Sequence, residues 1–197
     1  MNGSDRELWN RVQAGDEEAF GTLFERYADR VYNYCFRRTA DWAEAEDMVS
    51  AVFLEAWRRR ADLELTTQDE RILPWLLGVA TNLLRRRSRS AARFARALLR
   101  MDPRRHEADF ADDAVGRIAD EQRMRAVLAS IDGLSKGERD TLALYAWAGL
   151  TYEETSAALG IPIGTVRSRL SRARLHLQKL EPATAPVRKG EVTNEAH

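Results

Sequence analysis

The stretch LTYEETSAALGIPIGTVRSRLSRARLHLQKL, Leu150 to Leu180, contains two helical patterns that a short apolar turn separates. Thr151 and Glu154 have the spacing of a capping box at the start of the first helix, and Gly160 can end that helix in the left-handed conformation. In the second helix the residues that should pack inward recur at helical spacing; they are Val166, Leu170, Ala173 and Leu177. The stretch has the outline of a helix-turn-helix.

The opposite face of the second helix is cationic, because no acidic residue occurs from Ile161 to Leu180. Small hydroxyl side chains let a helix lie close to the floor of a DNA groove, and arginines bond guanine edges or phosphates. The residues that we predict to contact DNA are Thr165, Arg167, Ser168, Ser171, Arg172 and Arg174, with Arg169 beside them. The alternative is a solvated basic face on an ordinary helical hairpin, but the cap, the glycine turn and the purely cationic helix occur together and favour DNA binding.

The composition excludes several classes of protein. No apolar run is long enough to span a bilayer, and the N-terminus MNGSDRELWN lacks a signal-peptide core, which predicts a cytoplasmic protein without membrane insertion. The single cysteine, Cys35, cannot form an internal disulfide and lies in a helical pattern, so we expect it to be a buried small hydrophobe.

Motifs of catalysis and metal binding are missing from the sequence. His106, His176 and His197 have no ligand-like spacing, and we predict neither a metal nor a cofactor. No nucleophile with an adjacent base, GxSxG motif or phosphate-binding glycine loop occurs. The sequence therefore predicts that the protein is not itself an enzyme.

Charge is segregated along the chain although 31 basic and 31 acidic residues balance. The segment from Asp41 to Ala56 has five acids and no base, and the segment from Arg85 to Arg105 has nine arginines against Asp102 alone. Such blocks predict separate surfaces for different partners.

Two amphipathic helices are predicted in the first third of the chain, Asp16 to Arg38 and Asp41 to Arg60. The second has an apolar stripe and, on another face, the acids Asp41, Glu44, Asp47 and Glu55. This acidic face is either solvated or a docking surface for a basic helix of a partner protein, and periodicity does not distinguish the two.

A polar loop, Ala61 to Leu73, leads to a third helix, with Pro74 as its first residue. Its apolar side is Leu76, Leu77, Ala80, Leu83 and Leu84, and the opposite side carries Trp75, Gly78, Asn82, Arg85, Arg86 and Arg89. An aromatic ring, an amide and a row of arginines suit single-stranded DNA, since the ring or amide engages a base and the arginines bind phosphates. Alternatively, Trp75 is a residue at the edge of the core and the arginines only solubilise the helix.

The remaining segments complete an all-α fold of two small helical domains on a flexible linker. Arg93 to Asp120 changes from basic to acidic and contains Pro103, as a linker does. Ile118 to Ile131 and Ser135 to Ala148 are predicted helices, and in the second of these Leu142, Tyr145 and Ala146 should face inward. The predicted divisions are a domain at 1–93, a linker at 94–119, a helix-turn-helix domain at 120–180 and a disordered tail at 181–197.

These motifs resemble the extracytoplasmic-function (ECF) group of bacterial RNA polymerase sigma factors, in the sigma-70 family. GLTYEETSAALGIPIGTVRSRLSRAR, Gly149 to Arg174, looks like the fourth-region helix-turn-helix of the family. AEDMVSAVFLEAWRRR, Ala45 to Arg60, followed by PWLLGVATNLLRRR, Pro74 to Arg87, looks like its second region. The resemblance extends over about Asp16 to Arg93 and Asp120 to Leu180.

The resemblance implies a promoter-specificity subunit that binds core RNA polymerase, at the beta-prime clamp and the beta flap, and directs initiation at −35 and −10 elements. The clamp would contact the acidic helix through Glu44, Glu46, Asp47, Ser50 and Glu55. At the position of Ser50 the family often has glutamine. The loop Ala61 to Leu73 with Trp75 and Asn82 would capture an unpaired −10 base, and the arginines Arg85, Arg86 and Arg89 would hold the strand. The −35 element would be recognised by the face that contains Arg167, Ser168, Ser171 and Arg172.

The resemblance also implies an inhibitory anti-sigma partner between the two domains and a linker that runs toward the RNA exit path. Two other hypotheses use only part of the chain. A dimeric repressor or activator would use the helix-turn-helix alone and need palindromic half-sites. A protein-interaction module would use the acidic helix alone.

Overall fold

The computed structural model of the protein describes residues 3–62, 71–98 and 114–180. Every regular element in these ranges is helical, so the predicted all-α fold is confirmed. The elements are α1 (Asp5–Gln13), α2 (Glu17–Thr39), α3 (Trp42–Arg58), α4 (Leu73–Leu98), α5 (Ala114–Ser130), α6 (Lys136–Leu142), a π-helical turn (Ala143–Trp147), α7 (Tyr152–Leu159) and α8 (Ile163–Leu180).

Three predictions fall wholly or partly outside the described residues. They concern most of the loop Ala61 to Leu73, the centre of the predicted linker at 94–119 and the predicted tail at 181–197. Helix α4 continues five residues past the predicted limit at 93, and α5 begins at Ala114, so both ends of the predicted linker are helical. No helix in the described ranges is both long and apolar enough to cross a membrane.

Helices α2, α3 and α4 form a bundle through the faces that periodicity predicted. Asp16 and Asp41 begin α2 and α3 as N-caps, their side chains accepting hydrogen bonds from backbone amides. The side chains buried between the helices include Leu23, Val31, Val52, Leu76 and Leu77, each of which contributes about 1.5–3 kcal/mol on burial. This bundle holds α4 with one face in the core and one face toward the C-terminal helices.

Cys35 is fully buried in this bundle, as predicted. Burial raises the pKa of its thiol to about 12, because the low-dielectric interior disfavours the thiolate. The thiol therefore stays protonated at neutral pH and packs as a small apolar group.

Helix α1 was not predicted from the sequence. Ser4 and Glu7 form a reciprocal capping box at its start, and the side chains of Leu8, Trp9 and Val12 are buried. A Ser-x-x-Glu pattern followed by apolar residues one turn apart is a recognisable helix start, so the signal was present in the sequence.

The buried carboxylate of Asp5 ties α1 to the bundle. It accepts hydrogen bonds from the Tyr27 hydroxyl at 2.5 Å, the Arg26 guanidinium at 2.5 Å and the backbone amide of Ile72 at 2.8 Å. Three donors compensate the burial of this charge, which would otherwise be unfavourable. Helix α1 thereby fixes the segment that enters α4.

Replacing the cap residue tests the contribution of α1. Ser4→Ala removes one half of the capping box, and we expect the free energy of unfolding to fall by about 1 kcal/mol. Chemical denaturation followed by circular dichroism measures this loss. Ser50→Ala, at an exposed position inside α3, is the control and should change stability by less than about 0.5 kcal/mol. An equal effect of the two substitutions would contradict the assigned role of the cap.

The C-terminal helices contain one departure from the predicted periodicity. Val166 and Ala173 of α8 are fully buried, as predicted, but Tyr145 and Ala146 are exposed. The prediction that these two residues face inward is wrong, because the turn Ala143–Trp147 is π-helical. A π turn holds an additional residue, which rotates the side chains that follow it.

We call α1–α4 the N-terminal body and α5–α8 the C-terminal body; the two bodies are in contact. Leu144 and Leu150 share the main apolar core with α1–α4. A Cβ atom at Gly78 of α4 would lie 2.5 Å from the carbonyl oxygen of Ala158 on α7, so the backbones approach closely there. Arg37 donates a hydrogen bond to the carbonyl of Trp147 at 2.9 Å. In this arrangement the two bodies therefore pack directly against each other.

Candidate nucleic-acid interface

Helix α8 presents the predicted DNA-contacting residues on its outer side. Thr151 and Glu154 form the capping box of α7, and Gly160 ends it at φ +62°, as predicted. These elements set the turn that leads to α8. Thr165 is half-buried, while the other predicted residues are exposed: Arg167, Ser168, Ser171, Arg172 and Arg174. The hydroxyl of Ser168 donates to the carbonyl of Thr165 at 3.0 Å.

Two arginines of this face are held in place by neighbouring helices. Nε of Arg172 lies 2.8 Å from Oε1 of Glu138, the capping-box residue of α6. Hydrogen bonds from Ser135 keep the pKa of Glu138 below its usual value, and Arg172 adds to this effect. The guanidinium of Arg167 lies 5.8 Å from the ring centroid of Tyr152, within range of a cation–π interaction. Both side chains are thus partly ordered before any ligand binds.

Tyr145 and Tyr152 form a surface pair that was not predicted from the sequence. Their rings stack with centroids 5.1 Å apart, beside Arg167. The pKa of the Tyr145 hydroxyl is raised by a hydrogen bond with Tyr152. Helical periodicity placed Tyr145 in the core, and only knowledge of the π turn could have moved it to the surface.

Helix α4 carries the residues predicted to bind single-stranded DNA, and they lie in different environments. Trp75 is half-buried, with its ring centroid 5.8 Å from that of Trp9, which corresponds to the alternative of a residue at the core edge. Asn82, Arg86 and Arg89 are exposed. Nε of Arg89 donates to the carbonyl of Arg85 at 3.2 Å, so consecutive turns of α4 present cations along one line.

Arg85 of α4 is engaged with the C-terminal body. Its Nε lies 2.6 Å from Oδ2 of Asp140, a buried residue of α6. Gly78, on the same stripe, contacts α7 as described above. The part of the predicted strand-binding surface that contains Gly78 and Arg85 is therefore covered by the C-terminal helices in this arrangement.

The acidic helix α3 presents a continuous outer face. Its exposed residues recur at spacings of three and four; they are Ala43, Glu46, Asp47, Ser50, Leu54 and, at the C-terminal end, Arg58. Glu44 and Glu55 are half-buried at the edge of this face. Oε1 of Glu44 lies 2.9 Å from Nε of Arg87 on α4, and Oδ2 of Asp47 lies 3.6 Å from Nη1 of Arg87.

Leu54 was not among the predicted residues of this face, yet it is 50% exposed. Leu54 adds one large apolar side chain near the C-terminal end of this face, one turn before Arg58. Single exposed leucines are common on protein surfaces, so the predicted docking role of this face rests on its acidic residues. A helical wheel of α3 could have found Leu54, because it lies four residues after Ser50.

Comparisons with known proteins identify two family regions in this chain. The family model for sigma-70 region 2 matches residues 23–94, and that for sigma-70 region 4 matches residues 124–177. The ECF RNA polymerase sigma factor SigK of Mycobacterium ulcerans (strain Agy99) is 31% identical over 170 residues, which cover 84% of this chain and 87% of the relative.

Two solved structures share the fold. CnrH, in complex with the cytosolic domain of CnrY, aligns with a TM-score of 0.65 at 24% identity and covers 90% of this chain and 97% of its own. The sigma factor RpoE of Bartonella quintana, in complex with the anti-sigma factor NepR, aligns with a TM-score of 0.59 at 22% identity, over 82% and 95% of the two chains. The matches to both sigma-70 regions and to a curated relative along most of its length show that this chain belongs to the ECF RNA polymerase sigma factors, the promoter-recognising subunits of RNA polymerase.

Proposed function

We propose that three charged surfaces of this chain divide the work of promoter recognition. The outer face of α3 docks on the beta-prime clamp of core polymerase, α4 binds the −10 strand and the outer face of α8 recognises the −35 element. The observation that carries the proposal is the separation of the charges: exposed acids on α3, and exposed arginines on α4 and α8. The residues 1–93 and 120–180 act as the two working units, and the latter also contacts the beta flap.

The chemistry of initiation explains why two nucleic-acid surfaces are needed. Contacts to paired DNA position the protein but do not favour melting. Melting becomes favourable when protein holds the unstacked base and its strand, which offsets a cost of a few kcal/mol for each unstacked step. Helix α8 supplies the first kind of contact and α4 the second. The chain contributes no catalytic group and acts in the cytoplasm as part of the holoenzyme.

The charge balance predicts weak DNA binding by the free protein. A net charge of zero and few phosphate contacts give little electrostatic affinity. Core polymerase adds its own DNA contacts, and linked contacts raise the effective concentration of each one. Promoter binding is therefore a property of the holoenzyme.

An anti-sigma partner is proposed to bind between the two bodies. A groove of about 750 Å³ lies there, between α4 and the helices α5, α6 and α8. Its lining contains many cationic side chains and an apolar floor; the cations include Arg87, Arg89, Lys136 and Arg169, and the floor includes Leu84, Leu128 and Ile131. An acidic amphipathic segment is the complementary occupant.

Run-off transcription tests the proposed function. We expect purified core polymerase with this chain to produce promoter-dependent transcripts from a library of genomic fragments, whereas core polymerase alone gives none. Mapping the RNA 5′ ends would then identify shared −35 and −10 sequences upstream of the start sites. Transcripts without a shared upstream sequence, or no transcripts from any fragment, would contradict the proposal.

A further inference from the structure

The carboxylate of Asp140 joins the C-terminal body to two arginines of the N-terminal body. Its Oδ1 lies 2.5 Å from Nη2 of Arg38, and its Oδ2 lies 2.6 Å from Nε of Arg85. The Asp140 side chain is only 2% exposed, so water screens these contacts little. One carboxylate faces two guanidinium groups, and one positive charge remains uncompensated within this cluster.

Arg38 has unused capacity to bind an anion. Its Nη1 is buried and has no hydrogen-bond partner among the described residues. The side chain lines the groove between the bodies, together with Arg85, Asn82 and Arg89 of the proposed strand-binding surface. A buried donor without an acceptor is unfavourable, so an anion with more acceptor oxygens than a carboxylate would satisfy this site better.

A phosphodiester is the anion that fits the two arginines. It carries one negative charge on two non-bridging oxygens, like a carboxylate, and its ester oxygens are further acceptors. Guanidinium groups bind phosphate and carboxylate in the same forked geometry. Because Arg38 lies in the last turn of α2 and Arg85 lies on α4, the pair would add a second helix to the surface that holds the DNA strand.

The contact that brings Asp140 to these arginines depends on a glycine. Gly78 lies inside α4, where glycine is less favourable than alanine for a helix. A methyl group there would come within 2.5 Å of the Ala158 carbonyl oxygen of α7, a backbone atom that cannot move aside as a flexible side chain would. Glycine at this position thus permits close packing of the two bodies.

We propose that Arg38 and Arg85 form a phosphate site for the −10 strand, and that Asp140 fills this site while the two bodies are packed together. The proposal rests on the proposed role of α4 in strand binding. When the bodies separate, the carboxylate leaves with α6 and both guanidinium groups become available to the DNA backbone. The free chain therefore blocks part of its own strand-binding surface until other contacts separate the bodies.

Removing the charge of Asp140 tests this competition. We expect the full chain with Asp140→Asn to bind a fluorescein-labelled, mixed-sequence single-stranded DNA about tenfold more tightly than wild type, since a charge-assisted phosphate contact is gained. The slope of log affinity against log salt should steepen by about 0.7, the value for one phosphate of a single strand. In the double variant that also carries Arg38→Ala, this gain should disappear.

Asp132→Asn is the matched control. Asp132 is an exposed acid of the same body, paired with Arg139 at 2.6 Å, and its replacement changes the net charge equally. We expect no gain in strand affinity from this control. Equal binding by wild type and Asp140→Asn, an equal gain in the control, or a gain that survives Arg38→Ala would each overturn the proposal.

Gly78→Ala tests the same site without touching Asp140, and it decides the question if Asp140→Asn does not fold. The alanine favours α4 as a helix but prevents the close approach to α7. We expect Gly78→Ala to increase the radius of gyration in X-ray scattering and to raise the affinity for the DNA strand several-fold. In the double variant that also carries Arg38→Ala, the radius of gyration should stay larger but the gain in affinity should disappear. An expanded chain with unchanged strand affinity would overturn the proposal. Failure of run-off transcription alongside intact gains would instead refute the proposed function and leave the phosphate site standing.

Discussion

Reversing the charges of Glu46 and Asp47 should lower the affinity of this sigma factor for core polymerase by about 100-fold. Both residues are exposed on the outer face of α3, on either side of the line that joins Ser50 and Leu54. Lysines there would replace two attractive contacts by two repulsive ones at a proposed interface with a basic partner helix. Removal of one partner of an interfacial charge pair already costs about 2–5 kcal/mol when the pair is desolvated.

Glu46 and Asp47 are a sharper choice than Glu44, which was predicted for the same surface. Glu44 is half-buried and paired with Arg87 of α4, so reversing its charge would also disturb the N-terminal body. A change in affinity could then come from unfolding rather than from the interface. Neither Glu46 nor Asp47 is buried, and Asp47 lies 3.6 Å from Arg87, a contact that solvent weakens.

Fluorescence anisotropy of labelled sigma factor, titrated with purified core polymerase, measures the loss. The control reverses Glu25 and Asp29, which are exposed on α2 and lie one helical turn apart, so it makes the same change in net charge in the same body. We expect the control to retain near-wild-type affinity, and thermal unfolding of both variants to remain near that of wild type. An unaffected α3 variant, or an equal loss in the control, would refute the proposed docking face.

The helices were predictable where large apolar residues repeat along one face. In α2, α3 and α8 most of the residues expected inside are buried or half-buried, because burial of these side chains dominates the folding free energy. Phe24 of α2 is the exception: periodicity placed it inside, but it is 41% exposed. Helix α1 was missed although Ser4 and Glu7 gave a clear start signal. Its short length offers only one turn of apolar repetition, which is little for a search based on periodicity.

The contacts between the two bodies could not be predicted from local sequence. Gly78 lies on the stripe assigned to DNA, and nothing near it in sequence shows that Ala158 approaches it. Asp140 is a polar residue of a short helix, and its two arginine partners are 55 and 102 residues away. Such contacts depend on how whole helices pack, and an arginine on a helix face pairs equally well with a phosphate or with a carboxylate.

The exposed pair of Tyr145 and Tyr152 could not be predicted for a different reason. Ala143–Trp147 has an ordinary helical composition, and α-helical spacing therefore assigned Tyr145 to the core. The π turn instead directs Tyr145 outward onto Tyr152, next to Arg167. The surface of the helix-turn-helix consequently contains aromatic groups beside Arg167, which we propose to contact DNA.

Replacing Arg167 and Arg172 by alanine should reduce promoter-dependent transcription by about 100-fold. Each bidentate arginine–base contact contributes about 1–3 kcal/mol of discrimination against the wrong base. Both side chains are exposed on α8 and are pre-oriented, Arg172 by Glu138 and Arg167 by the Tyr152 ring. The substitutions would remove contacts to DNA bases and leave the proposed docking face of α3, on the other body, unchanged.

Transcription by the reconstituted holoenzyme, with mapping of the RNA 5′ ends, measures this effect and locates its cause. We expect the −35 sequence shared by the remaining promoters to become less defined at specific positions, while the −10 sequence persists, because α4 is intact. The control is Arg123→Ala with Arg125→Ala on α5, two exposed and ion-paired arginines of the same body, which changes the net charge equally. A uniform loss in both variants would assign the effect to nonspecific phosphate attraction, since alanine at a phosphate-binding arginine weakens all sequences alike. A selective loss at −35 positions would place base recognition on α8, since the control leaves that helix untouched.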